Sequence, residues 1–183
     1  QTVDTVRSPV RDAQTSRMIN DGLVKSPSLR LLPTAVVYCE GNFAKIDGKT
    51  ANGLVRHSEA YKIVSVIDSA RSGEDSGMVL DDVINTIPVF ENLDAAVAHT
   101  GSVPDTFIYG MAPSTGRLSK ADRDVVMSAI TRGMNIVSGL HEYLSDDTEI
   151  AHAASEQQVT IRDIRKPKLS KDMRFDAETP ASR

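Results

Sequence analysis

From residue 34 onward, short apolar runs alternate with longer stretches that are apolar on one side only. Residues 34–40 (TAVVYCE) have no polar face, which predicts a strand covered on both sides. Residues 61–68 (YKIVSVID), 87–90 (IPVF), 105–111 (DTFIYGM), 135–139 (NIVSG) and 159–164 (VTIRDI) read the same way. Helices are expected between them. One runs from Gly48 to about His57, and one over 92–100 starts with Asn92 as its N-cap. A third covers 119–133, with Val125, Val126, Ala129 and Ile130 on one side and a capping box of Ser119 with Asp122. Residues 141–157 are helical in part. Strands alternating with helices, each strand an apolar run, predict an α/β fold: a Rossmann-like parallel sheet of about six strands flanked by helices.

Both ends of the chain break this pattern. Residues 1–33 are polar with a weak helical period (Val10, Ala13, Met18, Ile19, Leu23), which predicts an N-terminal helical arm. Residues 165–183 carry two prolines and little periodicity, as in an irregular C-terminal linker or tail. The Rossmann-like domain is therefore expected over 34–164. The chain opens on Gln1 and not Met, so a longer natural N-terminus is expected.

Composition narrows the function classes. Of 183 residues, 40% are hydrophobic, with four Phe, four Tyr and no Trp, so the core must be aliphatic. A formal charge of −4 argues against general nucleic-acid binding, which needs basic surface against phosphates. No apolar run approaches the roughly 20 residues that span a bilayer. The single cysteine, Cys39, excludes an internal disulfide and fits a reducing, cytoplasmic setting. It falls inside a predicted strand, as core. No His, Cys, Asp or Glu spacing suggests a metal site, and 145–149 (SDDTE) reads as an acidic helix start.

In a parallel sheet, ligands sit outside the carboxyl ends of the strands. The polar, small-residue loops 41–50, 68–77, 112–118 and 139–142 all follow strands, so the candidate chemistry gathers there. Gly48, Lys49 and Thr50 invite a phosphate-loop reading. That loop requires glycine, four residues, then Gly-Lys-Ser/Thr, and the position that must be glycine is Phe43. Gly41, the nearest upstream glycine, leaves six residues between instead of four. The dinucleotide fingerprint G-x-G-x-x-G is also absent from GKTANG. What remains at Gly41 and 48–50 is either an anion site, made by exposed N–H groups and the Lys49 ammonium, or a plain turn. Asp68 stands where Rossmann domains place an acid for ribose hydroxyls, or it is a turn former. Arg71, Ser72 and Gly73 suit phosphate, and equally an ordinary loop. Ser114, Thr115 and Gly116, after the fourth strand, are candidates to meet a ligand crossing the sheet edge. His141 is the first candidate for a general base, with Glu142 to tune it, against a capping or packing role.

The segments GKTANGLVRH, VIDSARSGEDSG, APSTGRLS, GLHEYLSDD and DIRKPK, in this order, resemble a bacterial and archaeal domain-of-unknown-function family. In that family a Rossmann-like domain precedes a C-terminal P-loop domain, and some members are D-glutamate N-acetyltransferases using acetyl-CoA. The resemblance covers residues 34–168. More distantly, the stretch from IPVF to HEYL is similar to the coenzyme-A-binding domain of succinyl-CoA synthetase α subunits. The resemblance implies acetyl-CoA as cofactor, a small-molecule acceptor, and a P-loop domain that is absent from this sequence. A homo-oligomer is also expected. Two other readings stand beside it: an NAD-dependent enzyme or sensor, favoured by Asp68, and a non-catalytic docking module using Met127 and Met134.

Overall fold

The computed structural model describes residues 31–167. The expected arm around Val10 to Leu23 and most of the expected tail lie outside the described residues. Six strands form one sheet: β1 Thr34–Tyr38, β2 Lys62–Ile67, β3 Val89–Phe90, β4 Thr106–Tyr109, β5 Asn135–Ser138 and β6 Ile161–Asp163. Their order is β3-β2-β1-β4-β5-β6, and every pairing is parallel. This is the doubly wound layout in which the chain order reverses between β1 and β4, opening a crevice at their carboxyl ends. Five helices cross over: α1 Lys49–His57, α2 Ser76–Asp81, α3 Leu93–Thr100, α4 Lys120–Thr131 and α5 Thr148–Glu156. Among the described residues, no helix is long and apolar enough to cross a membrane.

Strands covered on both faces need apolar residues at successive positions. Val36, Val37, Phe107, Ile108, Ile136 and Val137 supply them, and all are buried. The helices add one stripe each, as Val126, Ala129 and Ile130 do on α4. Cys39 is buried in this core, and burial first, then the charges of Asp68 and Glu40, push its thiol up to about 12. The thiolate that would act as a nucleophile is therefore suppressed, as expected for a packing residue.

Helix α2 was not expected from the sequence, where 68–77 reads as one loop. Six residues are too few for a period to show, and a local cap makes the helix. The Asp75 carboxylate accepts the N–H groups of Gly77 (2.9 Å) and Met78 (3.1 Å), then those of Asn85 (3.0 Å) and Thr86 (2.8 Å) beyond the helix. Burial works to raise its pKa, but these four donors hold it below the usual carboxylate range. The capping box at α4 is half formed. The Ser119 hydroxyl accepts the Asp122 N–H at 3.1 Å, but the Asp122 carboxylate is used elsewhere.

Asp147 caps α5 through Glu149 and Ile150 N–H and takes two bonds from the Arg123 guanidinium, at 2.6 and 2.8 Å. Arg123 first, helped by the Ile150 and Glu149 N–H groups, lowers its pKa to about 2, against burial. A depressed carboxylate contributes stability above its unfolded value of about 3.9, and the contribution disappears as pH falls from there toward 2. The pair is one-third exposed, so the effect is screened and modest. In urea unfolding, Arg123→Gln is expected to be less stable than wild type at neutral pH, with the gap closing between about pH 4 and pH 2. A gap independent of pH would contradict this role.

Candidate functional site

The carboxyl end of β1 runs into a loop that closes on itself. Asp68, 1% exposed at the end of β2, accepts Gly41 N–H (3.1 Å) and Ala70 N–H (2.9 Å) on one oxygen, and Phe43 N–H (2.9 Å) on the other. The Asn52 side chain accepts Ala44 N–H and donates to the Lys45 carbonyl, and the Lys45 ammonium donates to the Gly41 carbonyl at 2.6 Å. Glu40 accepts the Ser69 N–H and hydroxyl. Asp68, expected as a ribose ligand or a turn former, thus spends its carboxylate on building this loop.

The start of α1, which the sequence left open between an anion site and a plain turn, is tied into the same loop. Gly48 N–H goes to the Lys45 carbonyl (3.2 Å), Lys49 N–H to the Ile46 carbonyl, and Ala51 N–H to the Gly110 carbonyl of the β4 loop (3.0 Å). Backbone carbonyls thus take three of the donors at this helix start. Lys49 and Thr50 keep exposed side chains.

At the crevice itself stands a constellation that the sequence reading missed. Tyr38 and Tyr109 end the neighbouring strands β1 and β4 in register. Their hydroxyls donate to the two oxygens of Asp122 in the first turn of α4, at 2.7 and 3.0 Å. Tyr38 also stacks on Phe107, with centroids 5.6 Å apart. The available signal was a tyrosine closing each of two apolar runs. The apparent capping box hid the third partner. Burial first, then Asp122 and its charge, raise both phenols far above their ordinary value. Tyr38 and Tyr109 are therefore expected to stay protonated through the ordinary phenol range in an absorbance titration and to ionise only on unfolding. Tyr38→Phe and Tyr109→Phe, with the fold intact, are expected to show no difference from wild type in that range; reversible ionisation of either phenol in the folded protein would contradict this.

Farther along the edge, the loops after β4 and β5 lock together. Gly116, at φ 67°, turns its carbonyl to the N–H groups of His141 (3.2 Å) and Glu142 (3.3 Å). Its missing side chain leaves room for the imidazole, since a Cβ there would lie 3.0 Å from His141 Cβ and Cδ2. His141 is exposed, with Nε2 3.3 Å from the Arg165 guanidinium. Arginine only donates, so this bond requires Nε2 as acceptor and the proton on Nδ1. Glu142 accepts Leu118 N–H at 2.5 Å and so braces the 112–118 loop. Ser114 and Thr115 stay exposed on that loop.

Arg71, Ser72 and Gly73 are exposed on the β3 side, where Gly73 N–H reaches the Val89 carbonyl (2.9 Å) and Arg71 pairs with Glu74 (3.6 Å). Four strand spacings of about 4.8 Å separate β3 from β5, which His141 follows, so the β3 edge stands roughly 19 Å from the His141 group along the sheet. A cavity of about 200 Å3 opens between Tyr38, Glu40, Ile67, Glu91 and Leu93 at the carboxyl ends of β1 to β3. A larger cavity, about 560 Å3, is at the opposite edge, beside Lys62, Ile63, Asn85, Ile87 and His99. We place the site at the carboxyl edge, because the crevice and the gathered polar loops are there.

A family described as "Domain of unknown function (DUF1611_N) Rossmann-like domain" matches residues 69–167. A D-glutamate N-acetyltransferase of Pseudoalteromonas sp is 40% identical over 62 residues, 34% of this chain and 19% of that protein. One of Tritonibacter scottomollicae is 31% identical over 64 residues, 35% of this chain and 19% of its own length. The matched stretch thus spans about a fifth of these curated relatives. Among solved structures, a DUF1611 family protein from Anabaena variabilis is similar with a TM-score of 0.65 and 25% identity, over 73% of this chain and 37% of that one.

Proposed function

Because this chain belongs to the DUF1611_N family of Rossmann-like domains, we propose that it is the cofactor-binding part of an N-acetyltransferase that acts on an amino acid, of the D-glutamate type, with acetyl-CoA as donor. The observation that carries this reading is the 40% identity over 62 residues to a protein of that name. A C-terminal P-loop domain outside this sequence completes the enzyme. The longer relatives leave room for one.

In the reaction, the free amine attacks the thioester carbonyl. The new C–N bond forms, the C–S bond breaks, and the amine proton leaves through a base to the departing coenzyme A thiolate. His141 is the base in this reading, since it is exposed at the edge with an acceptor nitrogen on its ring. Ser114 and Thr115 border the path of the ligand, and the exposed Lys49 and Arg71 meet its anionic groups. Acetyl transfer to D-glutamate, measured on the full-length protein, is expected to fall by about 100-fold or more in kcat on His141→Ala. Turnover within a few-fold of wild type would reject this base.

A further inference from the structure

The residues after β6 carry a cation that the proposed reaction does not use. Ile164 N–H bonds the Ser138 carbonyl at 2.8 Å, so the chain leaves β6 against the end of β5. Two residues on, the Lys166 ammonium reaches the Ser145 hydroxyl (2.8 Å) and the Asp146 carboxylate, and lies over the Tyr143 ring at 5.5 Å. Between these two anchors the backbone of Arg165 is held in place at the carboxyl edge of the sheet. Arg56, Arg71, Arg123 and Arg132 each face a carboxylate, but Arg165 faces an imidazole. A guanidinium has five N–H donors in a planar fork, and a single bond to a ring nitrogen leaves most of them unused. That fork matches the two oxygens of a carboxylate or phosphate. The imidazole it touches is itself seated on the space left by Gly116.

We propose that Arg165, held against His141, is an anion-recognition residue of the site, taking a carboxylate of the acceptor amino acid or a phosphate of the acetyl donor. This rests on the acetyltransferase reading for its choice of ligands, but not for its geometry. The anion would draw one face of the guanidinium while the other keeps His141 oriented.

The test follows the His141 Cε1–H resonance of the whole chain by NMR at constant ionic strength, with His57, His99 and His152 as internal controls. D-glutamate and inorganic phosphate are titrated separately. D-glutamate is expected to move the His141 signal saturably, and Arg165→Gln to weaken that response roughly tenfold or more. Arg165→Lys restores only part of it, since an ammonium lacks the fork. A response to phosphate alone, also lost in Arg165→Gln, keeps the anion site and assigns it to the donor. No response to either anion, or equal affinity in Arg165→Gln, overturns the proposal. Arg165 is exposed, and an unchanged thermal midpoint confirms that the variants fold. No acetyl-CoA is present, so failure of the acetyltransferase reading shows in turnover and leaves this result standing.

Discussion

Gly48→Ala is expected to cost the domain about 3 kcal/mol, or about 10 °C in Tm. A Cβ on Gly48 would stand 2.1 Å from the Asn42 carbonyl oxygen, 2.9 Å from its carbon and 2.9 Å from Cys39 Sγ. Two of these atoms are backbone, in a loop already fixed by Asp68 and Asn52, so nothing cheap can yield. The backbone angle of Gly48 is ordinary (φ −91°), so the need is for space and not for conformational freedom. Lys49→Ala, one residue on and exposed, is expected to change stability by less than about 0.5 kcal/mol. Thermal melts of both variants check the contrast. A stable Gly48→Ala protein that had lost ligand affinity would instead mean that the glycine serves close approach of a ligand, as in a phosphate loop.

Asp68→Ala is expected to be more damaging, on the order of 4 kcal/mol, because it strands the N–H groups of Gly41, Phe43 and Ala70 together. Asp68→Asn keeps one acceptor but turns an NH2 group toward donors, so it too should fall well below wild type. Urea unfolding measures both. Loss of the β1 loop would also displace Glu40 from Ser69, so ligand binding should weaken as a consequence of disorder at the edge. Near-normal stability with a selective loss of NAD affinity would reverse this reading and return Asp68 to a ribose role.

These two residues mark how far the sequence could be read. The six strands were legible because burial on both faces demands uninterrupted apolar runs, and such runs need no tertiary information to recognise. The spacing around Gly48 was enough to exclude a phosphate loop, since Phe43 occupies the place of its first glycine. What Gly48 does could not be read, because its neighbour Asn42 approaches only through the fold of the loop. Asp68 was placed correctly at the end of β2, but its three donors come from the loop of another strand and from its own turn. Tyr38, Tyr109 and Asp122 meet only once β1 and β4 become neighbours and α4 packs back over them. Asp122 looked like a capping residue because local spacing was the only visible relation. His141 and Glu142 were singled out together as a catalytic pair. The structure brings them to the same carbonyl, yet sends the Glu142 carboxylate to Leu118 and leaves the imidazole to Arg165.

Calorimetric titration of this chain with acetyl-CoA, with NAD as the comparison ligand, decides whether the domain holds the acetyl donor. Saturable binding of acetyl-CoA and none of NAD is expected. Binding of NAD alone, or of neither ligand, would contradict it and remove the acetyl donor from this domain.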